Sequence, residues 1–297
     1  MEHIHKKTVK ISDVVIVSIL ACLTLSCLIP VINTVAISFS DKTSVALGKV
    51  YFWPVGFTTA PYEALWKEKQ FFQSFLNSIL RVLLGGTINV LITILMAYPL
   101  SKNKRNFKAK NIYMWFLIFT MLFYGGLVPN FLLVRNLKLM DTVWALVLPC
   151  AVPVFSVIVL MNFFRDIPQS LEEAAYVDGA NPFYILWKIF VPLGKPAIAA
   201  VALFAVVWHW NAFFDGRIYI NTPSKMPLQT YIQLLSIALT TADMQTMTPE
   251  QIIKKMAMSD LTFNSAKIVV SMIPILLIYP FLQKYFVTGI VMGAVKE

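Results

Sequence analysis

Six stretches of roughly twenty mainly apolar residues, at about 14–39, 76–100, 112–134, 143–164, 197–220 and 268–288, dominate this chain. Each is long enough to cross a bilayer core about 30 Å thick. Lipid offers no water to backbone N–H and C=O groups, so a run of this kind is held to a helix. Composition agrees. Apolar residues make up 58% of the chain, charged residues 13%, and mean hydropathy is +0.70, against about 45–50% and about 25% for ordinary soluble domains. The sequence therefore predicts an all-α polytopic membrane protein with six transmembrane helices. Disordered, collagen-like and disulfide-stapled classes are excluded.

Charge sets the orientation. Lys6, Lys7 and Lys10 precede the first run, and Lys102, Lys104, Arg105, Lys108 and Lys110 crowd one short loop with no acidic residue among them. Cytoplasmic loops carry such an excess. With the N-terminus inside, six spans return the C-terminus to the cytoplasm. The uncharged run Val14–Ser40 is too long for a signal-peptide core of about 7–15 residues and is expected to stay as a span. The formal charge of +10 does not point to nucleic acid, because the basic stretch interleaves only Phe107 and no recognition element accompanies it. Cys22, Cys27 and Cys150 form no C-x-x-C pair or metal-spaced cluster and read as small core residues. No metal site is expected. Pro30, Pro129, Pro149, Pro153 and Pro274 lie in or beside spans and free carbonyls that neighbouring helices or a water-filled path must satisfy.

These segments give an N-terminal portion, 1–71, with the first span and an outer loop; a core, 72–288; and a tail, 289–297. Within the core, an inner loop at 165–196 and an outer loop at 221–267 stand out. The inner loop is dense in helix signals. Ser170 and Glu173 have capping-box spacing, so a short helix is predicted from Leu171. Glu172, Glu173, Ala174 and Ala175 follow, Asp178-Gly179-Ala180 offers a left-handed stop, Asn181-Pro182 restarts the chain, and Pro192 is expected to end the second helix. Two short helices around a glycine turn make either a rigid knob that docks into a partner's groove or an amphipathic pair lying on the bilayer.

The spacing Glu173-Ala174-Ala175, three residues, Gly179, nine residues, Ile189, one residue, Val191-Pro192 resembles the EAA signature of permease subunits in binding-protein-dependent ABC importers. Val191 departs from it, standing where leucine is usual. Asn162-Phe163-Phe164, Pro168, Lys195-Pro196-Ala197, Trp210-Asn211 and the closing Gln283-Lys284-Tyr285-Phe286 with Gly293-Ala294-Val295-Lys296 are similar to the carbohydrate-uptake branch of the MalG and LplC type. The resemblance implies a type I importer transmembrane domain in a bacterial cytoplasmic membrane. Its implied partners are a second homologous permease, two ATP-binding cassette subunits that bind ATP and Mg, and an extracytoplasmic sugar-binding protein or lipoprotein. ATPase coupling would fall to Ser170, Glu172, Glu173, Ala174, Ala175, Asp178, Gly179, Ala180, Ile189 and Pro192. Gly293, Ala294 and Lys296 would contact the ATPases through a flexible tail, unless that tail is a frayed end. The chain has no phosphate-binding G-x-x-x-x-G-K-[ST] loop of its own.

Candidate pathway residues are Arg81, His209, Trp210, Asn211 and Asp215. Polar groups at such depth face a bundle interior. Trp210 with Asn211 would suit a sugar's C–H face and hydroxyls, with an interfacial aromatic belt as the alternative, and His209 reads as a hydrogen-bonded core histidine. Arg81 either snorkels, pairs with a neighbouring subunit, or meets an anionic substrate. Outside, Met226–Asp260 is expected to form part of the binding-protein dock. A membrane enzyme lacks a catalytic pair here, and a channel lacks a filter or charge ring. The expected cargo is sugar, chiefly oligosaccharide released from polysaccharide, acidic fragments included.

Overall fold

The computed structural model describes residues 11–237 and 261–294, which are helical with connecting turns and, among those residues, contain no strand. The chain divides into two compact units, one of residues 1–68 with 237–270 and one of residues 69–236 with 271–297. In the first unit, α1 (Ile11–Ser38) leads through α2 (Lys42–Ala46) to α3 (Ala60–Lys67). The apolar side chains of α1 stay exposed along most of its length, as a lipid-facing span requires. Asn33 Nδ2 donates to the carbonyls of Val50 and Tyr51 at 3.2 and 2.8 Å, and Asp41 caps α2 by accepting from the Ser44 amide. Lys267 and Glu68 form an ion pair at 2.8 Å, with the lysine buried.

The second unit is built on α4 (Lys69–Ser101), which packs chiefly against α8 (Val154–Arg165) and α12 (Lys195–Asn211). Between them lie α5 (Lys110–Leu122), α6 (Leu127–Asn136), α7 (Val143–Val147), α9 (Gln169–Val177), α10 (Pro182–Ile185) and α11 (Val191–Leu193). The chain continues as α13 (Phe214–Tyr219), α14 (Leu228–Ile237) and α15 (Leu261–Ala294). One apolar core runs through Ile94, Ala97, Leu100, Leu160, Phe164, Ile185, Leu186, Phe190 and Val201. The 165–196 segment is therefore part of the core and not a loop laid against it.

Three expected spans are broken. Among the described residues, Ser12–Ser38, Lys69–Ser101 and Leu261–Pro280 are each long and apolar enough to cross a membrane, and three bent pairs bring the count to as many as six. The run at 112–134 bends by 111° between α5 and α6, where Gly126 takes φ +94°. The run at 143–164 bends by 49° at Pro149 and Pro153. The run expected to 220 stops at Asn211, and its other end joins 182–193 through an 84° bend at Gly194. A Cβ on Gly194 would lie 2.6 Å from the Phe164 ring, so only glycine fits that corner.

Carbonyls at these breaks find partners on α4. Asn89 Nδ2 donates to the carbonyls of Cys150 and Ala151 at 2.8 and 3.0 Å, and Asn89 Oδ1 pairs with His209 Nε2 at 2.8 Å. The approach of α12 depends on Gly85, where a Cβ would stand 2.3 Å from the His209 ring. Replacing Asn89→Leu strands two carbonyls and a buried imidazole. It should cost about 2 kcal/mol, read as a lowered thermal unfolding midpoint in detergent, and an unchanged midpoint would remove Asn89 from this role.

Candidate functional site

The helix expected from Leu171 begins instead at Gln169, with Pro168 at the N-cap and no side-chain cap. The earlier start puts Ser170 at the second helical position, where its hydroxyl no longer stands at the N-cap. Glu173 accepts from Gln169 Nε2 at 2.7 Å in place of a capping box. The other end follows the sequence. Gly179 takes φ +80°, its N–H bonds to Tyr176 O, and Ala180 N–H bonds to Ala175 O, which together make a Schellman stop. Asn181 then caps α10 by accepting from the Tyr184 amide at 2.8 Å.

Pro192 does not end the second helix. Residues 186–190 widen into a π turn, α11 carries the helix past the proline, and Gly194 ends it. A proline offers no N–H to the preceding turn, and the wider turn takes up the misfit.

Position along α9 sorts the coupling candidates. Ser170, Glu173, Ala174, Asp178 and Gly179 are exposed, as is Pro192, while Ala175, Ala180 and Ile189 pack on the core. Beside them Leu171, Val177, Phe183 and Tyr184 stand open, Val177 at 88%. Glu172 departs from expectation: it is only 6% exposed and faces inward. Its carboxylate meets Lys102 Nζ at 2.7 Å and accepts from the Tyr98 hydroxyl at 3.5 Å. The ammonium is also held between the rings of Tyr98 and Phe190, 3.8 and 3.9 Å from their centroids. Asn103 Nδ2 donates to Gln169 Oε1 at 3.0 Å. Thus α9 is tied by a largely enclosed cation to the residue that follows α4. The sequence displayed Lys102 only as one of several loop cations, and nothing in its neighbours marks it as different.

A cavity of about 850 Å³ opens between α6, α7, α12 and α13, within the size range of ligand sites. Of the five pathway candidates, Asn211 and Asp215 line it. His209 and Trp210 do not. Both are buried, His209 on Asn89, and Trp210 edge-on to Phe75 with its indole N–H donating to Ser271 O at 3.0 Å. At 100° per residue, Trp208 and Asn211 share the face that His209 and Trp210 leave, so Trp208 is the tryptophan on the cavity wall, with Tyr124, Asn130, Phe213 and Tyr219.

Arg81 neither snorkels nor waits for another subunit. It lies about 18 Å along α4 at 1.5 Å per residue, fully buried, bridging both carboxylate oxygens of Asp215 and donating to Ala212 O at 3.2 Å. Trp208 stands over the guanidinium at 5.6 Å. The carboxylate on the cavity wall is thereby neutralised from behind.

At the opposite end of α4 from the Lys102 clamp, Asp141 gathers the turn at 219–225. It accepts from the amides of Asn221 and Thr222, the Thr222 hydroxyl at 2.8 Å and Lys225 Nζ at 2.7 Å. Asn77 Nδ2 donates to Ser224 O and Met226 O, and the Leu228 amide donates to Ser78 Oγ. Residues 238–260, which hold most of the expected dock, lie outside the described residues, as does Lys296. The backbone at Gly289, Gly293 and Ala294 is helical, so the part of the expected flexible tail as far as Ala294 continues α15.

Two outcomes follow from these ties. Lys225 and the Thr222 groups hold the Asp141 carboxyl well below the usual carboxylate range. A depressed folded-state value means that its stabilisation is complete above about pH 4 and fades as pH falls through the folded value. Unfolding midpoints measured from pH 6 to 3 should fall more steeply in the parent than in Asp141→Asn. Lys102→Met leaves Glu172 buried without its cation and should cost about 3 kcal/mol, seen as faster amide exchange in 169–177. Adding Glu172→Leu should restore much of that protection, and equal exchange in all three would dissolve the clamp.

A family model described as the binding-protein-dependent transport system inner membrane component matches residues 89–292. The chain is 37% identical over 294 residues to the polygalacturonan/rhamnogalacturonan transport system permease protein YtcP of Bacillus subtilis, covering 97% of this chain and 99% of that one. It is 38% identical over 275 residues to protein LplC of the same organism, covering 91% and 89%. Among solved structures it is similar to a chain of a bacterial ABC transporter involved in the import of the acidic polysaccharide alginate, with TM-score 0.83 and 30% identity over 95% of this chain and 100% of that one. The structure of a bacterial alginate ABC transporter in complex with a pentasaccharide-bound periplasmic protein shares the fold, at TM-score 0.57 and 16% identity over 91% and 93%. With most of its length inside the family model and an all-α polytopic membrane fold of the type I importer kind, the chain belongs to the inner membrane components of binding-protein-dependent transport systems.

Proposed function

We propose that this chain is one of two homologous permeases in an ATP-driven importer, and that it carries oligosaccharides from an extracytoplasmic binding protein into the cytoplasm. Family membership makes it a multi-pass bacterial inner-membrane transport subunit of the carbohydrate class and not an enzyme. The observation that carries the mechanism is α9. It is fixed at its base by the Lys102–Glu172 pair, and the segment that follows it is rooted in the core through Ile185, Leu186 and Phe190, yet Glu173, Val177 and, in the turn beyond, Gly179 face outward. A rigid lever with an open tip suits the cleft of an ATPase. Closure of two ATPase subunits would press on that tip and tilt α4 and α12, turning the pathway from inward-facing to outward-facing.

This reading takes six spans, with both termini and the 165–196 segment in the cytoplasm, in keeping with the basic loop 101–111. The core would be 72–288, the outer loop 221–267 would meet the binding protein, and the C-terminal tail would reach the ATPases through Gly293, Ala294 and Lys296. Of the coupling residues, Glu172 and Ala175 act from within, as positioning residues, and Glu173 and Gly179 act by contact.

The substrate class follows from the relatives and the cavity. YtcP is named for polygalacturonan and rhamnogalacturonan, and the structural relative imports alginate. The aromatic wall with Asn130 and Asn211 offers ring faces and amides to a saccharide, and Arg81 cancels the Asp215 charge, so a uronate would not be repelled. Acidic oligosaccharides of polysaccharide origin fit best.

Affinity purification from native membranes should recover a second permease and an ATPase, the ATPase being lost on Glu173→Lys with Gly179→Asp. Vesicles of the complex with its binding protein should import oligogalacturonate only with ATP. Recovery of the chain alone, indifferent to those substitutions, would overturn the coupling reading.

A further inference from the structure

Next to the Lys102–Glu172 pair lies a polar cleft of about 180 Å³ to which the proposed transport cycle assigns no ligand. It opens between the turn after α4 and the facing ends of α8 and α9. Lys102, Lys110 and Arg165 line it, with Glu172 as its carboxylate, and that carboxylate is bonded to Lys102. Lys110 Nζ donates to the main-chain oxygen of Lys102 at 2.5 Å, and Arg165 donates to Asn162 Oδ1 and Met161 Sδ, both at 3.4 Å. Neither cation meets a carboxylate among the described residues. Two positive charges in excess, held beside one cleft, repel each other unless an anion lies between them.

The remaining wall suits an oxyanion. Asn103, Asn106 and Gln169 border the cleft with carboxamides, and a guanidinium offers a planar fork that matches phosphate oxygens. At about 30 Å³ per water, the space equals some six waters. That admits a phosphate group and its ester oxygens but no nucleoside beside it. Exposed Lys104, Arg105 and Lys108 in the same turn add a longer-range attraction for anions.

We propose that this cleft binds a phosphate group between Lys110 and Arg165, supplied by an anionic phospholipid or by soluble phosphate. Its place at the ends of the apolar helices α4, α5 and α8 puts it at the depth of lipid headgroups, and basic pockets between spans on the inner side are suited to them. That placement rests on the inner orientation of the basic loop proposed above.

The test uses the full chain in its complex, in nanodiscs of phosphatidylcholine with or without phosphatidylglycerol, and compares it with Lys110→Gln/Arg165→Gln and with Lys108→Gln, outside the cleft. Native mass spectrometry reads retained lipid, and a titration with inorganic phosphate in phosphatidylcholine discs reads the soluble source. The parent and Lys108→Gln should retain phosphatidylglycerol, and the double variant should bind it at least about tenfold more weakly. Phosphate competing for the same residues without lipid retention would assign the soluble source. Equal retention and equal phosphate binding in all three proteins would overturn the proposal. Retention depends on the cleft alone, so it decides the matter even where import fails, and failed import with normal retention would count against the importer reading instead.

Discussion

Everything in the second unit hangs from one stripe on α4. Ser74, Ser78, Arg81, Gly85, Asn89, Thr93 and Ala97 succeed one another at three- and four-residue steps and are all buried. They form one face of a single helix. In lipid a broken span is tolerated only if its released backbone groups are bonded within the protein. The stripe does that work: Ser78 receives Leu228 N–H, Arg81 takes Ala212 O, and Asn89 takes Cys150 O and Ala151 O. Without it, the bends that frame the cavity would be unaffordable.

Those same bonds explain why the cavity has the wall it has. Ending α12 at Asn211 and turning the chain at Ala212–Phe213 brings Asp215 back to Arg81, so that Trp208, Asn211 and Asp215 face one space. A straight span from 197 to 220 would have spread these residues round a cylinder. The polar interior of this permease is therefore a consequence of helix breaks, and the breaks are stabilised by side chains on a different helix.

At the far end of α4, the Lys102 ammonium plays the corresponding part for the coupling segment. Held by a carboxylate and two aromatic faces, it fastens α9 to the helix whose other side chains brace the cavity. Motion imposed on α9 would therefore pass to α4 directly. In the proposed importer, a push from an ATPase would reach the transport pathway without a long relay, since one helix carries both attachments.

The sequence by itself determined the class of solvent, the apolar runs, the EAA spacing, and the local turns at Gly179 and Asn181, because composition, backbone satisfaction and left-handed φ are properties of short stretches. It also marked Arg81 and His209 as polar residues within apolar runs. Which way each of them turned was settled only by tertiary structure. Trp210 and Trp208 are equivalent in a list and opposite on a helix, Glu172 reads like Glu173 until Lys102 arrives from seventy positions away, and Pro192 stops nothing once a π turn absorbs it. Long-range pairing of charges and carbonyls decides these points, and its partners lie too far apart in the chain for any local pattern to report them.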